Sequence, residues 1–289
     1  MINKITIKNS VKIVNDEYVK KKKKNKDIDN IYNYLLSRSF DYFPRVVEED
    51  DEYIYYEYIR DIEEPNEQKI TDLVSLVSLL HNKTTFYKEV DIDDYKYIYE
   101  SVSDKIEDTY NYYNMIMDNI ESEVYMSPSN YLIARNISII YSALKYAKET
   151  VDRWYKMNED SRRMRVVMNH NNLGLDHYLK GDKPYLISFD RAKIDMPVFD
   201  LISLYKKHYL DIDFNDILKI YLSKYPFSNS EMMLFLAMIS IPDKISNVNS
   251  QYKRVLVIRR VIDYVYKTSD LVAKYSIKEQ ANEGHKFKE

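Results

Sequence analysis

The chain has 289 residues, of which 45% are apolar and 31% charged, enough for one large domain or two lobes with an ample core. Its formal net charge is −3 and its isoelectric point about 6.0, so no basic field points to nucleic acid. With no cysteine, disulfide scaffolds, thiolate metal sites and thiol nucleophiles are excluded; with no signal peptide either, the expected compartment is the reducing cytoplasm.

Residues 1–60 alternate in the strand manner. "ITIKNSVKIV" and "EYVKKKK" read as strands around the turn Asn15-Asp16, and "RVVEEDDEYIYYEYI" reads as a hairpin turning at Glu49-Asp50-Asp51. Between them, Ile28, Ile31, Tyr32 and Leu35 fall at helical spacing, with Asp27 as N-cap. From residue 66 the period changes. "EQKITDLVSLVSLLHN" is an amphipathic helix with Leu73, Leu76, Val77 and Leu80 on one face, and residues 93–122 give a second. A long helix begins at Pro128, with Ile133, Ile137, Ile140, Leu144 and Val151 as its stripe. Short strands surround residues 170–190. Helices are then expected at about 198–209, 214–225, 229–240 and 250–275, before a polar tail, 276–289. The most apolar run, Met232 to Ile241, is about half a bilayer span and reads as a buried helix.

The pattern predicts an α+β chain with a small β-rich lobe over 1–62 and a large helical lobe over 63–275. A strand-poor helical bundle is the alternative, against which the N-terminal alternation speaks. Only three glycines occur, Gly174, Gly181 and Gly284. A loop that wraps phosphates with backbone amides needs glycine for close approach and positive φ, and none can be written in the first 173 residues.

Residues 169–201 read "NHNNLGLDHYLKGDKPYLISFDRAKIDMPVFDL". This segment resembles the catalytic region of the aminoglycoside phosphotransferase and choline-kinase branch of the protein-kinase-like fold. The resemblance spans roughly residues 8–265, with the bacterial spore-coat CotS-type proteins nearest. The family's catalytic loop is His-Gly-Asp-Leu with a metal-binding Asn five residues after the Asp. "HNNLGLDH" puts His170 on the His, Asn172 on the Asp and His177 on the Asn. "ISFD" puts Ser188 on the metal-binding Asp of the next turn, with Asp190 on the acid that follows it. "MPVFDL" puts Asp200 on the aspartate that braces the catalytic loop.

The resemblance implies a two-lobed kinase-like fold with its frame kept, His170 and Asp200 bracing the loop. It also implies that the chemistry at Asn172, His177 and Ser188 is lost. An amide cannot take a proton at neutral pH, and magnesium prefers hard oxygen ligands to an imidazole or a serine hydroxyl. In the small lobe it implies Lys21 as the phosphate lysine with Asp29 as its partner acid, and Tyr55 to Ile59 as the hinge, where Glu57 and Ile59 would meet a nucleotide base. Asp176 and Asp190 are the acids that could rescue a metal site. The expected protein is therefore a pseudokinase acting as a binding or scaffold module for an unnamed protein or small molecule. No cofactor, nucleic acid or membrane span is expected. The alternatives are a small-molecule kinase using ATP and magnesium through relocated ligands, and a spore-coat-type structural component.

Overall fold

A computed structural model describes the backbone of residues 5–8, 11–14, 17–23 and 28–286, with side chains over 17–23 and 28–276. The expected turn Asn15-Asp16 and the Asp27 cap lie outside the described residues. The chain opens with an antiparallel sheet of five strands in the order β1-β2-β3-β5-β4. These are β1 (Ile5–Lys8), β2 (Val11–Val14), β3 (Tyr18–Lys22), β4 (Val46–Glu49) and β5 (Tyr53–Glu57). "ITIKNSVKIV" thus makes two paired strands rather than one, Ile5 opposite Val14 and Lys8 opposite Val11. Central β3 pairs with β5 so that Lys21 faces Ile54.

Helix α1 (Ile28–Ser37) sits between β3 and β4 and buries Ile28, Ile31, Tyr32 and Leu35, the predicted stripe. It stops because Ser39 takes the left-handed conformation (φ 55°), allowing Phe40 N to donate to Leu35 O (3.0 Å) and Ser39 N to Leu36 O (2.9 Å). Phe40 is then fully buried.

Next come α2 (Asn66–Thr84), β6 (Phe86–Glu89), α3 (Ile92–Glu121) and α4 (Pro128–Asn158). Asp91 and Asp94 form a reciprocal capping box on α3, and Ser127 caps α4 ahead of Pro128. Strand β7 (Arg163–Asn169) leads to a 3-10 turn at Leu175–His177, the hairpin β8 (Tyr178–Lys180) and β9 (Pro184–Leu186), a second 3-10 turn at Phe189–Arg191, and β10 (Lys193–Asp195). Strand β10 returns antiparallel to β7, Lys193 opposite Asn169. Helices α5 (Val198–His208), α6 (Phe214–Lys224), α7 (Asn229–Ile239) and α8 (Gln251–Lys286) follow. The backbone of α8 runs on past residue 275, where the tail was expected, through a glycine-poor, proline-free stretch of Lys, Glu, Gln and Ala that favours helix. Among the described residues no helix is long and apolar enough to cross a membrane.

The chain divides into two compact units. The first comprises Met1–Phe86, Arg165–Leu204 and Asp216–Pro226; the second comprises Tyr87–Met164, Tyr205–Asn215 and Phe227–Glu289. In the first, Tyr32 stacks on Phe43 (4.6 Å between ring centres) and both meet Phe189 edge-on (6.1 and 6.2 Å). In the second, α4 packs against α3, α7 and α8, and Trp154, Tyr113 and Phe235 are fully buried.

Candidate functional site

The residues predicted to matter fall in the first unit. Asp200, in the first turn of α5, is completely buried. Its Oδ2 accepts from His170 N (2.8 Å) and its Oδ1 from Asn171 N (2.7 Å). His81 of α2 reaches the same carboxylate through Nε2 (3.2 Å), while its Nδ1 lies 2.6 Å from the Tyr221 hydroxyl. This pattern fits Nε2–H donating to Asp200 and Nδ1 accepting from Tyr221. A buried carboxylate is tolerated when donors surround it, and here they lock the turn that follows β7. In that turn Asn171 is left-handed (φ 58°). His170, also fully buried, reaches Ile187 O through Nε2 (2.8 Å) and packs edge-on against Phe189 (4.9 Å).

His177 lies at hydrogen-bond distance from Asn172 O through Nδ1 (2.6 Å). The carbonyl can only accept, so Nδ1 carries the proton. Its Nε2 lies 3.5 Å from Asn172 Nδ2 and 3.6 Å from Asp176 Oδ2. Ser188 is left-handed (φ 70°), and its Oγ accepts from Lys21 Nζ at 3.2 Å. Lys21 is ion-paired to Asp190 at 2.5 Å, both side chains about four-fifths buried. Here the sequence expectation is corrected. Among the described residues the acid holding Lys21 is Asp190, from the 3-10 turn after Ser188, and not Asp29. Asp29 lies exposed in the first turn of α1.

Between these elements lies a cleft of about 420 Å³. Lys21, Glu57, Ile59, Asp176, His177 and Ser188 all line it; Asp29 does not. Tyr32 and Tyr56 supply aromatic wall, their hydroxyls 3.5 Å apart. Burial pushes the Tyr32 hydroxyl well above its ordinary pKa, with the charge of Tyr56 and its hydrogen bond adding, and then those of Asp190 and Asp29.

Sequence reasoning missed a clamp at one edge of this cleft. The stretch joining β5 to α2 is held by Lys180 at the end of β8. Ile62 N donates to Lys180 O (2.8 Å), Lys180 N to Asp61 Oδ1 (2.8 Å), and Lys180 Nζ reaches Glu64 (2.6 Å) and Asp72 (2.8 Å). Lys69 pairs with the other oxygen of Asp61 (3.3 Å). Hydrogen bonds to Asp72 and Glu64 raise the Lys180 pKa. Burial pushes the Asp72 carboxyl up, but the bonds from Lys180 and Gln68 outweigh it and hold the group below its usual range. Only the acid run at residues 61–64 could have hinted at this.

No family model matches the sequence, and no curated protein matches it. Solved structures do match. One is an aminoglycoside phosphotransferase from Alicyclobacillus acidocaldarius, with TM-score 0.72 and 10% identity over 97% of this chain and 93% of that chain. The chain has the aminoglycoside phosphotransferase fold. This two-lobed, protein-kinase-like fold has a small antiparallel sheet first and a larger helical part after it. A glucosamine kinase is similar at TM-score 0.53 and 10% identity over 95% of this chain and 76% of that one. An AMP-bound spectinomycin phosphotransferase is similar at 0.50 and 12% over 96% and 87%.

Proposed function

We propose that this chain is a kinase-like binding module in which phosphoryl transfer has been lost. The observation that carries the reading is the pairing of Lys21. The only cation presented by β3 to the cleft is spent on Asp190 and Ser188, so it is not available to phosphates without breaking a 2.5 Å ion pair. The rest of the donor set supports the same reading. The resemblance puts Asn172 where a phosphotransferase carries its base, and an amide takes no proton there. Magnesium wants hard oxygens in octahedral array, and the two positions that would hold it offer an imidazole and a hydroxyl already bonded to Lys21. Of the two rescuing acids, Asp190 is paired and Asp176 is largely exposed. These residues do not fit magnesium and nucleotide phosphate. The cysteine-free composition favours a cytoplasmic setting.

The test is a melting curve across a magnesium titration, with and without ATP, for the wild type and for the triple variant Asn172→Asp, His177→Asn, Ser188→Asp. A ligand that binds only the folded state must raise the melting temperature. The triple variant adds two carboxylates, which repel each other without a cation, so it melts lower in chelator and recovers with magnesium. The wild type does not respond. A wild type stabilised by magnesium-ATP, or one that transfers phosphate, would overturn the reading and make Asp176 and Asp190 working ligands.

A further inference from the structure

The charge layout of the cleft goes one step beyond the loss of catalysis and rests on that reading. Both lysines that line the cleft are already ion-paired, Lys21 with Asp190 (2.5 Å) and Lys69 with Asp61 (3.3 Å). Two lining carboxylates are not matched by a lysine or arginine among the described residues. Glu57, the last residue of β5, accepts the Arg45 backbone N–H (3.0 Å), and Asp176 faces the His177 imidazole (3.6 Å). At the cleft edge a single lysine, Lys180, is shared by two carboxylates, Glu64 and Asp72. Burial raises the Tyr56 hydroxyl above its ordinary pKa against the opposing hydrogen bond from Tyr32, with the charges of Asp190, Asp29 and Glu49 adding to the rise. Among the described residues, a polyanion entering here meets two lysines that are already ion-paired and two carboxylates without a lysine or arginine partner.

The remaining wall is apolar and aromatic, with Val19, Tyr32, Tyr56, Tyr178, Leu179 and Ile187. Aromatic rings attract cations through their faces, and carboxylates take ammonium or guanidinium groups in charge-assisted hydrogen bonds. A volume of about 420 Å³ suits a small molecule. We infer that this cleft takes a small organic cation, an ammonium or guanidinium group on a compact aromatic or aliphatic body, instead of a phosphate-bearing nucleotide.

Calorimetry and melting curves with tyramine and agmatine as cationic probes, tyrosol as the neutral counterpart of tyramine, and ADP and ATP with and without magnesium test this. The expected result is stabilisation by tyramine or agmatine that weakens as salt is raised, and none by tyrosol. Glu57→Gln and Asp176→Asn should each weaken the cation by roughly tenfold, the scale of one charge-assisted contact. Circular dichroism of the ligand-free variants checks that they fold. If they do not, the tyramine-to-tyrosol ratio and the salt dependence still decide. If neither cation binds, if tyrosol binds as well as tyramine, or if both folded variants bind like wild type, the inference is wrong while the loss of catalysis stands. Stabilisation by magnesium-ATP instead would overturn both.

Discussion

Three residues other than glycine adopt the left-handed conformation among the described residues, Ser39, Asn171 and Ser188. The chain carries no glycine before Gly174, so the first of these turns has to be made by a side-chain-bearing residue. At Ser39 the strain serves only to stop α1, since the two capping bonds come from backbone groups. A non-glycine residue costs about 1–2 kcal/mol in this region, offset in part by the entropy that glycine would lose on folding. Ser39→Gly should therefore stabilise the protein by about 0.5–1 kcal/mol, read from the midpoint of urea denaturation with unchanged slope. A neutral or destabilising outcome would mean that the hydroxyl matters. Asn171 and Ser188 are different, because both flank the cleft machinery, where strained backbone positions are often kept for function. Their strain was not legible in the sequence, but the bracing of the loop at His170 by Asp200 was. The partner of Lys21 was not legible. Asp190 lies 169 residues away along the chain, and no local pattern reports such a contact.

At the scale of elements, periodicity found α1, α2, α3 and α4, because each buries one face, and the β4–β5 hairpin, where only β5 alternates between buried and half-buried residues and β4 is exposed throughout. It missed β6, whose four residues are mostly exposed and leave no alternation to read. It also missed the clamp between β8 and the stretch leading into α2, which depends on backbone groups as much as on Lys180. Lys180→Met tests that clamp. The folded Asp72 carboxyl titrates below its unfolded value, so the stability it contributes is complete above about pH 4, the unfolded pKa, and is lost as pH falls through the folded one. The variant should be less stable than wild type at pH 7, and the gap should narrow at pH 3 as Asp72 takes up its proton. A gap independent of pH would assign the loss to packing of the lysine stem instead.

For the molecule as a whole, each of the two compact units buries apolar residues of its own, and the single tryptophan belongs to the second. Trp154 is fully buried on α4, packed against Tyr95 with ring centres 5.7 Å apart. Its emission therefore reports the second unit alone. We expect acrylamide to quench the folded protein several-fold less than the guanidinium-unfolded chain, and a cationic ligand in the cleft of the first unit to leave that quenching constant unchanged. A ligand-dependent change would show that binding reorganises the second core.

The discontinuity of the first unit has a consequence for synthesis. Residues 1–86 are synthesised before residues 165–226, which bring the ring that closes the Tyr32–Phe43 cluster, Phe189, and the rest of that unit. At about 5–20 residues per second the Tyr32–Phe43 pair waits on the order of 10 s for its third ring. Over that interval the chain depends on chaperones or on its own solubility, and a translational pause between residues 86 and 165 would favour aggregation of the nascent protein.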